Sequence, residues 1–280
     1  MVAFGDIGKN AKDLFNGNPK SGAFSYDSKL SFSSATASGV TFAVNAVSKD
    51  ASTIGGTVKL SHSNKCYAAD ATLDPKGNVT LSASLNEALR SYVPGVKLGA
   101  SCVLPNPSSA KLTADYAPCK EFATKVSCTL VSTPLVDASA AVVYKGVVLG
   151  GEAAYDTAKS VLSKYTVGAG YAAPDFQVAA HLLNKGSAIS LSYCHVLAKG
   201  TSLGAEVTRQ VSSGATTFTA GYARKLASGA VAKIKLDNTG LLSSMYETKL
   251  PNGEKLAGSL QVKATDLTAP FKYGFAVDLS

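Results

Sequence analysis

The sequence predicts an all-β membrane protein, a closed transmembrane β-barrel of about 19 strands with an N-terminal amphipathic helix in the lumen. Three observations predict it. In the last ten residues, FKYGFAVDLS, the large residues Phe271, Tyr273, Phe275, Val277 and Leu279 alternate with Lys272, Gly274, Ala276, Asp278 and Ser280. A period of two is a β-strand, and an aromatic-rich face opposite a polar one suits lipid on one side and water on the other. From residue 24 onward the chain reads strand, turn, strand without a break. Finally, no run approaches the roughly 18 apolar residues that a membrane helix needs. The most apolar region, 138–155, is interrupted by Lys145 and Glu152 and by glycines at 146, 150 and 151.

Composition narrows the classes further. Charged residues make up only 16% of the chain, tryptophan is absent, and the 46% hydrophobic content is spread evenly. The opening MVAFGDIGKNAKDLF has no apolar core of signal-peptide length, and Asp6 and Asp13 set it apart from an acid-poor presequence. The cysteines at 66, 102, 119, 128 and 194 are odd in number and widely spaced, which fits a reducing surrounding better than disulfides or a metal site. The net charge of +8 is not gathered into runs, so no nucleic-acid partner is expected.

In chain order, residues 4 to about 16 read as the one helix: Ile7, Ala11 and Leu14 recur on one side, opposite Lys9, Asn10, Lys12, Asp13 and Asn16. Gly17, Asn18 and Pro19 end it. So short a helix is marginal alone in water and must lean on the barrel interior. Residues 1–22 are read as this helical segment with its hinge, and 23–280 as the barrel. Nineteen strand segments follow, starting at Phe24, Gly39, Ile54, Cys66, Asn78, Gly95, Ala110, Glu121, Asp137, Val148, Lys164, Asp175, Ser187, Thr201, Ala215, Gly229, Leu241, Lys255 and Pro270. Each is about 8–11 residues long, the length of a tilted membrane strand. Turn chemistry separates them, as in Asp74-Pro75-Lys76-Gly77, Asn184-Lys185-Gly186 and Pro251-Asn252-Gly253. The gap between Asn86 and Pro94 reads as a short irregular loop.

Parity then sorts the charges. Lys29, Lys59, Lys97, Lys111, Lys125, Lys233, Lys235, Lys255, Lys263 and Lys272 fall on polar faces, with Asp27, Asp115, Glu121, Glu206 and Asp278 as the acids beside them. A barrel of about 19 strands is too wide for its side chains to fill, so these faces line water. Excess lysine there concentrates anions, modestly, because salt screens within about 10 Å at 0.1 M. Nothing reads as catalytic. Gly5-x-x-Gly8-Lys9 is too short for a phosphate loop, and Cys194 and His195 point to opposite faces of a strand. His62 and His181 lack a partner at ligand spacing. No cofactor, metal or enzymatic activity is expected.

Over essentially its full length the chain resembles the eukaryotic mitochondrial porins, the voltage-dependent anion channels, in their plant and algal form. Residues Asp6 to Phe15 are similar to that family's lumenal helix, and Pro94-Gly95-Val96-Lys97 resembles its Gly-Leu-Lys motif with valine for leucine. Lys235-Leu236-Asp237-Asn238 matches the heart of a C-terminal signature that departs here at Lys225 and Ile234. Lys272, Gly274, Val277 and Leu279 fit the family's outer-membrane insertion signal. The resemblance implies a mitochondrial outer-membrane barrel with parallel first and last strands, closing partially under voltage and passing ATP, ADP, phosphate and small anions. It points to Lys12, Lys20 and Lys97 for nucleotide contact, to Ile7 and Leu14 for docking the helix, and to Gly17, Pro19 and Gly22 for the hinge. Membrane lipids are the expected partners, with self-association and docking of cytosolic proteins at the rim left open. No acid occupies the apolar parity between Ile54 and Leu73, so the lipid-facing glutamate of some animal members has no counterpart. Two other readings remain at this point: a protein-import pore of the same membrane, disfavoured by the lysine-rich lumen, and a soluble β-sandwich or lipid-binding barrel.

Overall fold

The computed structural model describes residues 2–18, 22–50, 53–85, 93–266, 268 and 270–279. Nineteen strands among them close into one barrel. In chain order they are β1 (Ser28–Ala35), β2 (Val40–Asp50), β3 (Thr53–Ser63), β4 (Tyr67–Leu73), β5 (Val79–Leu85), β6 (Val96–Leu104), β7 (Lys111–Tyr116), β8 (Phe122–Thr129), β9 (Leu135–Tyr144) and β10 (Val147–Asp156). They continue as β11 (Val161–Ala172), β12 (Phe176–Leu183), β13 (Ala188–Ala198), β14 (Thr201–Gln210), β15 (Thr216–Lys225), β16 (Val231–Asp237), β17 (Leu241–Lys249), β18 (Lys255–Lys263) and β19 (Lys272–Leu279). Each pairs antiparallel with the next. With an odd count, the first and last strands then run the same way, so closure has to be parallel. It is: Ala276, Val277, Asp278 and Leu279 stand opposite Lys29, Leu30, Ser31 and Phe32. A closed ladder leaves no unpaired edge, which hydrocarbon demands.

The alternation holds around the ring. Leu30, Phe32, Leu60, Leu98, Leu203, Ile234 and Phe275 face outward and are exposed, as large apolar side chains on a lipid-facing wall must be. A bulge between β10 and β11 resets the pattern, pairing Ala154 with Lys164 and Tyr155 with Leu162, so that Lys164 keeps the inward parity of Thr166 and Gly168 while Leu162, two residues before it, turns outward. Outward aromatics gather near the rim that carries the turns after odd-numbered strands. Tyr144, Tyr171, Phe176, Tyr193, Tyr222 and Tyr246 lie within a few residues of their strand ends there, with ring contacts of 5.8 Å from Tyr171 to Phe176 and 6.2 Å from Phe176 to Tyr193. Such a girdle sits at headgroup level.

The structure differs from the sequence reading at the N-terminal end in two ways. The single helix over 4–16 is two pieces, a 3-10 turn Phe4–Asp6 and a helix α1 (Lys9–Phe15), divided at Gly8 in the left-handed conformation, φ 69°. A side chain at Gly8 would press on the Cβ of Ala179 and the Oγ of Ser192, at 3.0 and 3.2 Å, so the break lets the segment follow the wall. The first strand starts at Ser28 rather than Phe24. Residues 24–26 instead cross the lumen side, where the Ser25 N–H donates to Ser259 Oγ at 3.3 Å and Phe24 lies under the Lys235 ammonium at 4.6 Å. Of the expected loop from Asn86 to Pro94, residues 86–92 lie outside the described residues, as do Pro19 and Lys20.

Candidate functional site: the lumen and the segment docked in it

The N-terminal segment lies against the inner wall over β9, β10 and β13 to β15. Its apolar side chains set that position. Ile7 is 1% exposed and packs with Val148 and Ala179, with Val2, Phe4 and Val143 around them. Ala11, Leu14 and Phe15 bury themselves against Cys194 and Ala223. The wall makes room with glycine. Gly150 pairs directly with Gly168, and Gly204 with Gly221, on the inner face. A Cβ on Gly150 would sit 2.9 Å from Phe4 and 3.2 Å from Ile7; one on Gly204 would be 2.7 Å from Leu14, and one on Gly221 2.8 Å from Phe15. Two glycine pairs thus form two shallow troughs, one under each end of the segment. Glycine inside a strand marks close approach of this kind, a signal that the sequence itself carries at these positions.

Polar groups fix the ends of α1. A helix leaves N–H groups free at its start and carbonyls at its end. The Asn10 N–H donates to Gln177 Oε1 from β12 at 2.9 Å. At the other end the Lys233 ammonium donates to the carbonyls of Asp13 at 2.8 Å and Gly22 at 3.0 Å, and Lys235 donates to that of Phe15 at 2.8 Å. Cations at a helix C-terminus also meet the negative end of its dipole. Gly22 sits against Met245 and Glu247 and pairs with Asn18 as Gly17 pairs with Ala23, a tight reversal beyond the helix. At the first turn, Asp6 accepts from the Ala3 N–H at 3.0 Å and from Lys9 at 2.9 Å. Burial would raise the Asp6 carboxyl, but these two partners outweigh it and hold it below the usual carboxylate range, while Asp6 holds Lys9 above its ordinary value.

The inner face carries every lysine assigned to it by parity, but in two groups. Lys233 and Lys235 are spent on the helix. Lys29, Lys59, Lys97, Lys111, Lys125, Lys255, Lys263 and Lys272 stand on strands outside the docked stretch, as the register places them. The acid count differs from the sequence reading. Asp115, Glu206 and Asp278 are inward as expected, whereas Asp27 and Glu121 lie outside the strands. Asp70, Asp137, Glu152, Asp237 and Glu247 join the inner face; Asp237 follows the same alternation as Lys233 and Lys235, whereas Asp137 and Glu152 lie on alanine- and glycine-rich strands whose alternation is weak, so pairing decides their side. Several form cross-strand ion pairs: Lys59 with Asp70 at 3.5 Å, Lys111 with Asp137 at 3.0 Å, Lys125 with Asp115 at 3.4 Å, and Lys164 with Glu152 at 2.9 Å. All are substantially exposed to lumen water, so each is worth at most about 1 kcal/mol. Lysines still outnumber carboxylates on this face, by less than the sequence suggested.

The nucleotide candidates separate in space. Lys97 and Lys125 line a recess of about 760 Å³, together with Ala3, Phe4, Asp6, Lys65 and Asp115. Lys12 does not border it; it is exposed on α1, with its ammonium 3.3 Å from the Gly5 carbonyl. Gly274 meets the backbone of Ser25 and Tyr26 on the inside, and Lys272 shares its face, while Val277 and Leu279 face outward.

A lipid-facing closed barrel with a wet, charged interior, partly occupied by the chain's own N-terminal helix, is a membrane pore. The profile of the family described as Eukaryotic porin matches residues 1–274, and the chain belongs to that family. Among relatives, it is 32% identical to mitochondrial outer membrane protein porin 5 of Oryza sativa subsp. japonica, covering 99% of this chain and 96% of that one. It is 29% identical to mitochondrial outer membrane protein porin 4 of Arabidopsis thaliana, over 99% and 97%. The protein is a channel of the mitochondrial outer membrane for small solutes, and not an enzyme.

Proposed function

We propose that this pore is a voltage-gated, weakly anion-selective channel that passes ATP, ADP, phosphate and small anionic metabolites. The observation that supports it most is the surplus of lysine on the part of the inner wall that α1 leaves uncovered, with Lys97 carrying no ion pair among the described residues. A lysine ammonium is a point charge without fixed geometry, which suits fast passage of phosphates over tight binding. Lys12, on the open side of the helix, adds charge where the segment narrows the lumen. The mobile charge needed for voltage gating would come from the N-terminal segment, whose polar side carries Lys9 and Lys12. The test is permeation of ATP: the refolded protein in a planar bilayer under a gradient of the sodium salt of ATP. The proposal expects a reversal potential showing ATP current, reduced several-fold in Lys97→Glu and Lys12→Glu. ATP current equal to wild type in both variants would overturn the assignment to these lysines, and absence of ATP current through an open pore would overturn the substrate reading.

A further inference from the structure

On the outer wall, at the rim bearing the tyrosine girdle, the end of β15 and the start of β16 form a notch of about 410 Å³ lined by Tyr222, Arg224, Lys225, Leu226, Ala232 and Ile234, among others. The register explains its shape. Arg224 stands opposite Ala232, and Ala232 opposite Tyr246 on the next strand. A methyl group therefore lies between a guanidinium and a phenol, all three pointing out of the barrel. The adjoining row runs Leu203, Tyr222, Ile234, which continues the notch as an apolar shelf toward the membrane centre. Arg224 has no ion pair among the described residues, and its guanidinium is exposed at the level where headgroups lie.

An exposed cation on the lipid side, with a tyrosine two strands along and an apolar shelf beside it, is complementary to one kind of molecule in its surroundings. We propose that this notch is a binding site for an anionic phospholipid, with the phosphate held by Arg224, the Tyr246 hydroxyl beside it, and an acyl chain along Ala232 and Ile234. Guanidinium is the group whose planar fork matches phosphate with two parallel hydrogen bonds. The surrounding rim adds long-range attraction for negative headgroups through Lys145, which lies 5.3 Å over the Tyr144 ring, and through Lys199 in the turn after β13. The apolar lining of Tyr222, Leu226, Ala232 and Ile234 offers an acyl chain a surface that a soluble anion would not use.

The protein refolded into phosphatidylcholine vesicles, carrying a trace of phosphatidylglycerol with a photoreactive diazirine on its acyl chain, provides the test. After illumination, labelled peptides are mapped by mass spectrometry. Residues 222–246 should be labelled more strongly by the phosphatidylglycerol probe than by phosphatidylcholine with the same diazirine. Arg224→Gln should cut that labelling about tenfold, the loss of one charge-assisted phosphate contact. Arg224→Lys should retain part of it, and Ala232→Leu, which fills the notch and leaves the charge, should reduce it as well. Both positions face lipid, and heat-modifiable gel mobility will report that the variant barrels are folded. Equal labelling by the two lipids in the wild type, or labelling unchanged by Arg224→Gln, would overturn the site. So would labelling abolished by millimolar inorganic phosphate, since that assigns the guanidinium to soluble anions.

Discussion

Lys233 is 3% exposed, an unusual place for an ammonium, and it is tolerated there because two backbone carbonyls of the docked segment accept its protons. A hydrogen bond to a charged group is worth about 1.5–3 kcal/mol net. Lys233→Met should therefore loosen the C-terminal turn of α1, raising hydrogen exchange at the amides of 12–16 about tenfold or more while the barrel strands stay protected. Unchanged exchange would show that Leu14 and Phe15 hold the helix alone. Asp6 offers a pH-dependent counterpart at the other end. Its folded value is depressed, so its contribution is present above the usual carboxylate range and lost as pH falls through the folded value. Acidification should release the Ala3 and Lys9 contacts and increase exchange over residues 3–7, and Asp6→Asn should remove that pH dependence.

At the scale of elements, the helix and its trough depend on each other. The glycine pairs Gly150–Gly168 and Gly204–Gly221 stand where the polar parity could have carried any small or polar residue. Gly221→Val should push Phe15 and Leu14 off the wall and uncover Cys194, which is 2% exposed beneath them. In a variant keeping only Cys194, thiol labelling should be slow, and Gly221→Val should speed it about tenfold, the effect of roughly 1.4 kcal/mol of local destabilisation. Equal labelling rates would contradict the docked arrangement. Strands and their facing were legible in the sequence because a lipid wall enforces a strict period of two, which is why Leu203, Ala205 and Val207 could be placed against Glu206 and Thr208. The helix break at Gly8 and the start of β1 at Ser28 were not, since both answer to contacts with distant wall residues such as Ala179 and Ser259. The inward carboxylates Asp137 and Glu152 were missed for the same reason: partners across the sheet determine their side.

For the whole molecule, the balance of charge in the lumen decides selectivity more than any one residue. The ion pairs mute part of the lysine excess, so unpairing them should strengthen it. Asp137→Asn leaves Lys111 without its partner at 3.0 Å and should shift the reversal potential in a KCl gradient further toward chloride by several millivolts. The lysine roles proposed for the open wall and the latch roles of Lys233 and Lys235 are separable in the same experiment, since only the former face permeating ions. The most direct measurement is single-channel recording of the refolded protein in a planar bilayer under a KCl gradient. The expected result is a wide pore whose reversal potential favours chloride, and which steps to smaller conductances at either polarity. A fully open pore that favours potassium would contradict the lysine-biased lumen on which the functional reading stands.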